Sequence, residues 1–99
     1  MFIVVWEGKY PCPVDKEQVE DCIKNVVIPT RTKAGYKNQC FAWMSIGGPT
    51  NLGILIGEIE SLADIERVAT LPEMEKAGEE FFERFPDVEL TRRILEVVE

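Results

Sequence analysis

The chain alternates between segments rich in β-branched and aromatic residues and segments with an apolar stripe at helical spacing. Residues 2–10 have the composition of a strand and are followed by two prolines, which end it. In the next segment Asp15 can cap a helix, and apolar residues recur at the i, i+3, i+4 and i+7 positions. This spacing predicts a helix that Pro29 ends or kinks, with one more turn, closed by Gly35, as our preferred interpretation.

The second half of the chain predicts a hairpin, a helix in two pieces and a last strand. Residues 39–46 and 52–60 are predicted strands, and the Gly-Gly-Pro-Thr-Asn sequence between them has turn chemistry. Ser61 opens a predicted helix, which breaks at Pro72 and continues over residues 73–85. Residues 88–98 tolerate helix by propensity, but the alternation of Leu90, Arg92 and Ile94 favours a fourth strand.

Strand, helix, strand, strand, helix, strand is the order of an α+β, ferredoxin-like βαββαβ sandwich, with an antiparallel four-stranded sheet and both helices on one face. The 99 residues suffice for one hydrophobic core, so we expect residues 1–99 to form a single domain. The other face of the sheet would then be bare. Because a bare apolar face of that size associates, we expect two copies to pair as a dimeric α+β barrel, a homodimer through the sheet face.

Charge and residue content exclude several classes of function. The 18 acidic residues exceed the 11 basic ones, and the formal charge of −7 repels nucleic acid and anionic lipid surfaces. We therefore predict no nucleic-acid partner and, with no apolar run of ~20 residues, no membrane partner. The sequence has no histidine, which removes the commonest general base and the commonest metal ligand.

The three cysteines match neither a disulfide framework nor a metal site, so we expect reduced thiols, a cytoplasmic protein and no metal. Cys22 lies on the apolar stripe of the first helix and Cys40 begins the second predicted strand. Both are interpreted as small buried residues rather than nucleophiles, which leaves Cys12 as the exposed thiol.

A ligand pocket in this architecture would lie between the sheet and the helices. The aromatic candidates for its lining are Trp6, Tyr36, Phe41, Trp43 and Phe81. The same side chains are the first choice for filling a core, and only their position relative to a cavity separates the two interpretations. A closed pocket of about 300 Å³ or more beside Arg31, Tyr36 and Trp43 would favour an enzyme, and a filled core there would exclude one.

Three charged residues are the polar candidates for the site. Arg31 is the best of them, because a guanidinium near a pocket mouth can hold a carboxylate or phenolate in a bidentate manner. Its alternative role is charge complementarity with the end of the helix. Glu58 and Glu7 lie on predicted strands, where an inward carboxylate could act as a base and an outward one would be solvated or form a salt bridge.

Residues 27–36, Val-Ile-Pro-Thr-Arg-Thr-Lys-Ala-Gly-Tyr, resemble the end of the first helix in antibiotic-biosynthesis-monooxygenase-like proteins of the dimeric α+β barrel superfamily, where a Pro, an Arg and a Gly recur before strand two. Residues 57–64, Gly-Glu-Ile-Glu-Ser-Leu-Ala-Asp, resemble the exit of that family's third strand, an acidic residue followed by the Ser that starts the next helix. The resemblance covers most of the chain, and its residues mainly stop and start helices.

The resemblance implies more than one kind of function, because the family includes cofactor-free monooxygenases acting on polycyclic aromatics, haem-degrading enzymes and many members of unknown activity. The Asn, Trp and His of the haem-degrading branch are replaced here, near Glu7, at Ile59 and within residues 74–76. We therefore expect no cofactor and carry two hypotheses: a cofactor-independent monooxygenase-like enzyme for a small aromatic substrate, or a non-catalytic dimer that binds a small hydrophobic ligand or a protein. A structural or regulatory ACT-like domain, which shares the strand order, is a third.

Overall fold

The sheet has four antiparallel strands in the order β2-β3-β1-β4, and the helices cover one of its faces in a computed structural model that describes residues 1–98. The elements in chain order are β1 (Phe2–Lys9), α1 (Lys16–Cys22), a π-helical segment (Ile23–Val27), α2 (Ile28–Ala34), β2 (Lys37–Trp43), β3 (Leu52–Ile59), α3 (Leu62–Ala69), α4 (Pro72–Arg84) and β4 (Glu89–Glu96). The predicted βαββαβ order is confirmed, as is a last segment that forms a strand rather than a helix.

The predicted helix starts are confirmed in their hydrogen bonds. The Asp15 carboxylate accepts a bond of 3.3 Å from the backbone N–H of Gln18, and the Ser61 hydroxyl accepts one of 3.2 Å from the N–H of Asp64. Each bond satisfies one of the backbone donors that the first turn of a helix leaves free. Pro72 occupies the first turn of α4, where its missing N–H removes no helical bond.

The second strand differs from the prediction, because it spans 37–43 instead of 39–46. An irregularity in the pairing lies between Lys37 and Cys40, and Asn38 there has a φ of 50°. One extra residue on β2 shifts the register between Lys37, which pairs with Glu58, and Cys40, which pairs with Ile56. The pairing ends where Met44 N–H bonds to the Leu52 carbonyl at 2.9 Å, so residues 45–51 form a loop longer than the predicted turn.

The first helical region runs without a break from Lys16 to Ala34, but it widens before Pro29. The N–H of Ile28 donates to the carbonyl of Ile23, five residues back. In a regular α-helix the proline ring would collide with the carbonyl four residues back and leave it without a donor. The wider turn gives the ring room, and the helix continues to the predicted stop at Gly35, whose φ is 122°.

The stop at Gly35 is a Schellman motif. The N–H of Gly35 bonds to the Thr32 carbonyl at 3.2 Å, and the N–H of Tyr36 bonds to the Arg31 carbonyl at 3.0 Å. Glycine accepts the positive φ without a Cβ clash, and the paired bonds hold residue 36 back against residue 31. The helix end therefore fixes Arg31 and Tyr36 relative to each other.

Alternation along the strands divides the sheet into a helix-covered face and an outer face. Val4 of β1 is fully buried under the helices, and its register partners are Gly57 on β3 and Ile94 on β4. Neighbours one position away point to the outer face, which carries an apolar patch. The apolar residues of this outer face are Ile3, Val5, Ala42, Ile54, Ile56 and Leu95.

Candidate functional site

A cavity of about 240 Å³ lies between the sheet and the helices. The buried core forms two clusters, one around Tyr10, Ile23 and Phe81 and the other around Val4, Tyr36 and Val68. Trp6 packs against both clusters and lines the cavity between them. The volume exceeds the roughly 150 Å³ that accepts benzene in an engineered apolar cavity. It is smaller than the volume of about 300 Å³ expected above for an enzyme, which is the lower end of the usual range for drug-sized ligands. It suits a ligand of about one or two rings.

The large exposed side chains that line the cavity lie on α4 and β4, and we define this side as its mouth. Phe82 on α4 and Leu90 on β4 both line it, with 48% and 37% of their surface exposed. Arg92, two residues along β4, lines the same opening and is also exposed. Its guanidinium carbon lies 5.6 Å from the centroid of the Trp6 ring.

Two arginines are the only charged residues that line the cavity among the part of the chain described, and no carboxylate lines it. The remaining lining residues are mostly aliphatic and aromatic. The formal charge of −7 makes the protein as a whole repel anions, whereas the two arginines make the cavity attract them. The cavity is therefore distinct in charge from the rest of the molecule.

Arg31 is buried in this apolar setting with 2% of its surface exposed. Its Nε and Nη2 atoms have no hydrogen-bond partner, and its guanidinium forms no ion pair with any acidic residue in 1–98. Burial lowers the pKa of this guanidinium from its ordinary value, and the neighbouring Tyr36 partly offsets this lowering. A buried charge without a partner is costly. The folding of the protein has already removed water from Arg31, so an anion that accepts bonds from Nε and Nη2 would not have to do so again when it binds.

Three features hold the Arg31 side chain in place. Its guanidinium carbon lies 4.0 Å from the centroid of the Tyr36 ring, which is a close cation–π contact. Beneath both lies Gly57, where an added Cβ would be 3.2 Å from Arg31 Nη2 and 3.0 Å from Tyr36 Cδ1. The widened π-helical turn sets the register of α2, and Ile23, Val27 and Arg31 all line the cavity.

The structure brings five of the seven site candidates together around the cavity and leaves two outside it. The five that line it are Trp6, Arg31, Tyr36, Phe41 and Phe81. Trp43 packs instead against Tyr10 and Phe41, with ring centroids 5.6 Å and 5.3 Å away. Glu58 points to the outer face, where it accepts a hydrogen bond from the side chain of Asn38.

Other charged and sulfur groups also lie outside the cavity. Glu7 is on the outer face, 3.7 Å from Arg93 Nη1. Cys22 is buried, and burial raises the pKa of its thiol, while Cys12 is exposed. The expectation that Cys40 is buried is wrong for the single chain, because its register with Ile56 places it on the outer face.

Sequence reasoning missed Arg92 as a site residue, although its signal was present. Arg92 occupies the position between Leu90 and Ile94 in the alternation that predicted the fourth strand. A charged residue within an apolar alternation faces the same side as its apolar neighbours. Such an interruption indicates either an edge exposed to solvent or a polar group aimed at a site.

No protein-family model matches the sequence, and no curated protein matches it either. Solved structures match it in fold. A variant of SnoaB, a cofactor-independent oxygenase from Streptomyces nogalater, has a TM-score of 0.77 at 7% identity, covering 99% of this chain and 93% of that chain. A candidate antibiotic biosynthesis monooxygenase from Deinococcus radiodurans has a TM-score of 0.75 at 14% identity, covering 100% and 94%.

A dimeric ferredoxin-like protein from an uncultured marine organism has a TM-score of 0.74 at 17% identity, covering 99% of this chain and 96% of that chain. At these identities the likeness shows the fold. The protein therefore has an α+β, ferredoxin-like fold, and it shares that fold with antibiotic biosynthesis monooxygenase-like proteins, as the resemblance in sequence indicated. Within residues 1–98 we find no helix with the length and hydrophobicity needed to cross a bilayer.

Proposed function

We propose that the protein is a homodimer that binds a small hydroxyaromatic molecule in the cavity and oxidises it with O₂ without a bound cofactor. The observation that carries the proposal is the buried Arg31 guanidinium, whose Nε and Nη2 donors have no partner within residues 1–98 and which lies in an otherwise apolar cavity. A phenolate oxygen satisfies these donors, while its ring fills the apolar space between Trp6 and Phe81.

Arg31 would also activate such a ligand. An adjacent cation in a dry site favours the ionised form of a phenol and lowers its pKa, so no protein base has to lie in the cavity. The phenolate is electron-rich at the ring carbons ortho and para to its oxygen. Reaction with O₂ places one oxygen atom on such a carbon, and the other leaves as water with the ring and phenolic hydrogens, giving a quinone. O₂ takes up the four electrons that the ring loses.

The fold likeness supports this chemistry, since one of the proteins with this fold is described as a cofactor-independent oxygenase. It also supports the homodimer, because another is described as dimeric. The outer face gives the dimer its physical reason: Ile56 and Leu95 there are 37% and 50% exposed in the single chain. Burying such side chains against a second copy is favourable at about 25 cal/mol per Å² of apolar surface.

Binding is tested with a matched pair of ligands and a matched pair of proteins. The wild type should be stabilised against heat by 2-naphthol and much less by 2-methoxynaphthalene, which has the same rings but no ionisable hydroxyl. Arg31→Met should lose about 10–100-fold in affinity for 2-naphthol, the equivalent of one or two bonds to a charged group, and little for the ether. Equal binding of both ligands by the wild type would refute the proposal.

Catalysis is tested with an oxygen electrode under the same conditions. We expect O₂ uptake and a quinone absorbance with naphthols in the wild type and neither in Arg31→Met. The dimer is tested by light scattering, where Ile56→Glu on the outer face should give a monomer. Leu62→Glu, on an exposed position of α3, is the control and should stay dimeric.

A second candidate function is ligand binding without chemistry. The observation that favours it is the absence of any carboxylate among the described residues that line the cavity, together with the absence of histidine from the sequence. Without a base, a phenol of ordinary pKa would depend on Arg31 alone for its ionisation. Binding of 2-naphthol with no O₂ uptake would establish this second function in place of the first.

A further inference from the structure

Two cations line the cavity, Arg31 from α2 and Arg92 from β4. Arg31 lies over β3, with its Nη2 atom 3.2 Å from the point that a Cβ on Gly57 would occupy. Arg92 is on β4, which is separated from β3 by β1. Neighbouring strands lie ~4.8 Å apart, so the strand under Arg31 and the strand that carries Arg92 are about 10 Å apart. Trp6 of β1 is paired with Arg92 and lies between them.

The two arginines have opposite environments. Arg31 is closed off from solvent, whereas Arg92 lies at the mouth beside the exposed Leu90. No acidic residue in the described part of the chain forms an ion pair with either one. Arg92 contacts the Trp6 ring, a contact that leaves the N–H groups along the guanidinium edge free to bind an anion.

We propose, resting on the function proposed above, that Arg92 binds a second anionic group and that the substrate is an elongated aromatic acid. Its hydroxyl end would bind Arg31, its rings would lie along Trp6, and a carboxylate would remain at the mouth. This narrows the substrate from hydroxyaromatics in general to hydroxyaryl carboxylates. Gly57, under Arg31, is level with Ile94, two residues from Arg92, so the two positions are about 12 Å apart on the sheet. A ligand of about two fused rings with an anionic group at each end has the length to reach towards both.

Arg93 provides a matched control, because it follows Arg92 in the sequence and points to the opposite face. There it lies 3.7 Å from Glu7 Oε1. Arg92→Gln and Arg93→Gln remove the same charge from the same strand. Because Arg93 lies on the outer face proposed to form the dimer, light scattering first checks that Arg93→Gln is still a dimer. Any loss that depends only on the net charge of the protein therefore affects both variants equally.

The experiment measures the Kd of 6-hydroxy-2-naphthoate and of 2-naphthol, by calorimetry, for the wild type and each variant. Arg92→Gln should weaken the naphthoate about five- to tenfold, as expected for a charged contact at a partly exposed site, and leave 2-naphthol unchanged. Arg92→Lys keeps the charge but not the planar guanidinium, so its affinity for the naphthoate should lie between those of the wild type and Arg92→Gln. The Arg92-dependent part of the naphthoate affinity should also fall with added salt, because the mouth is exposed.

Three results would overturn the inference. They are equal affinity of wild type and Arg92→Gln for the naphthoate, equal losses in Arg92→Gln and Arg93→Gln, and a loss of 2-naphthol affinity in Arg92→Gln equal to its loss of naphthoate affinity. If Arg31→Met nevertheless loses 2-naphthol, the proposed function stands while this inference fails. If the wild type binds neither ligand, both fail. A melting temperature for Arg92→Gln equal to that of the wild type checks that the edge strand is intact.

Discussion

The guanidinium carbon of Arg31 lies 4.0 Å from the centroid of the Tyr36 ring, while the Tyr36 N–H bonds to the Arg31 carbonyl. In a Schellman motif the residues in these two positions commonly make a hydrophobic contact. Here a cation over a ring takes its place. The helix stop therefore also fixes a buried charge, and the same turn that ends the helix positions the group that would bind a ligand.

Removing this charge should stabilise the empty protein. Arg31→Met keeps most of the side-chain volume and removes the buried donors that have no partner in 1–98, at the loss of the contact with Tyr36. We expect the free energy of unfolding to rise by about 1–2 kcal/mol in urea titrations. Arg84→Met, which removes an exposed arginine paired with Asp21, should leave it unchanged. A fall in stability in Arg31→Met would show that Arg31 has a structural partner.

Adding one methyl group under Arg31 should disturb the site. In Gly57→Ala the new Cβ would crowd Tyr36 and Arg31 at 3.0–3.2 Å, so we expect a loss of about 1–2 kcal/mol in stability and weaker 2-naphthol binding. Gly78→Ala is the control for stability. No atom lies within 4 Å of its added Cβ, and as a residue inside α4 it should stabilise the protein by about 0.5–1 kcal/mol. Equal effects of the two substitutions would contradict the close packing at Gly57.

The three thiols should report on the dimer through their rates of reaction with a disulfide reagent. Cys12 should react fast at all protein concentrations, and Cys22, buried and with a raised pKa, only on unfolding. Cys40 on the outer face should be protected in the dimer and become reactive on dilution. In Ile56→Glu we expect Cys40 to react fast at every concentration. Protection of Cys40 in that variant would argue against a dimer through the outer face.

Alkaline conditions should destabilise the protein through Tyr10. Burial raises the pKa of this phenol well above its usual value near 10. The folded state then keeps the proton that the unfolded chain loses, so the stabilisation is complete below about pH 10 and is lost progressively as the pH rises further. At pH 11 this effect should lower the free energy of unfolding of the wild type by about 1 kcal/mol, and Tyr10→Phe should not show this decrease. Parallel pH profiles of wild type and variant in urea titrations would rule out the effect; comparison at pH 8 gives the baseline.

The strand and helix order could be predicted because each element carries its own local signal. Asp15 and Ser61 cap helices as expected, and Gly35 ends one, since these roles depend on residues three or four positions away. The position of β2 could not be predicted to the residue. It depends on the irregular pairing at Asn38, which results from how the helix end meets β3.

The site was predictable in part for the same reason. Aromatic residues and Arg31 were visible as candidates, but the depth of Arg31 depends on the widened turn before Pro29, and that turn is a response to crowding in the folded helix. Trp43 and Glu58 have the composition of site residues, yet the faces they occupy follow from the register of β2 and β3. Arg92 was visible only as an interruption in an alternation.

The contrast between a negative surface and a positive cavity also affects the time course of binding. An anionic ligand has to approach a protein with a formal charge of −7 before it meets Arg92 at the mouth. Salt at about 0.1 M screens the repulsion between charges that are more than about 10 Å apart. It weakens a buried contact such as that of Arg31 far less. Added salt should therefore accelerate the entry of an anion while it barely changes the escape of one held by Arg31. Because the dissociation constant is the ratio of the escape rate to the entry rate, added salt would tighten the binding of such a ligand by the same factor by which it speeds entry.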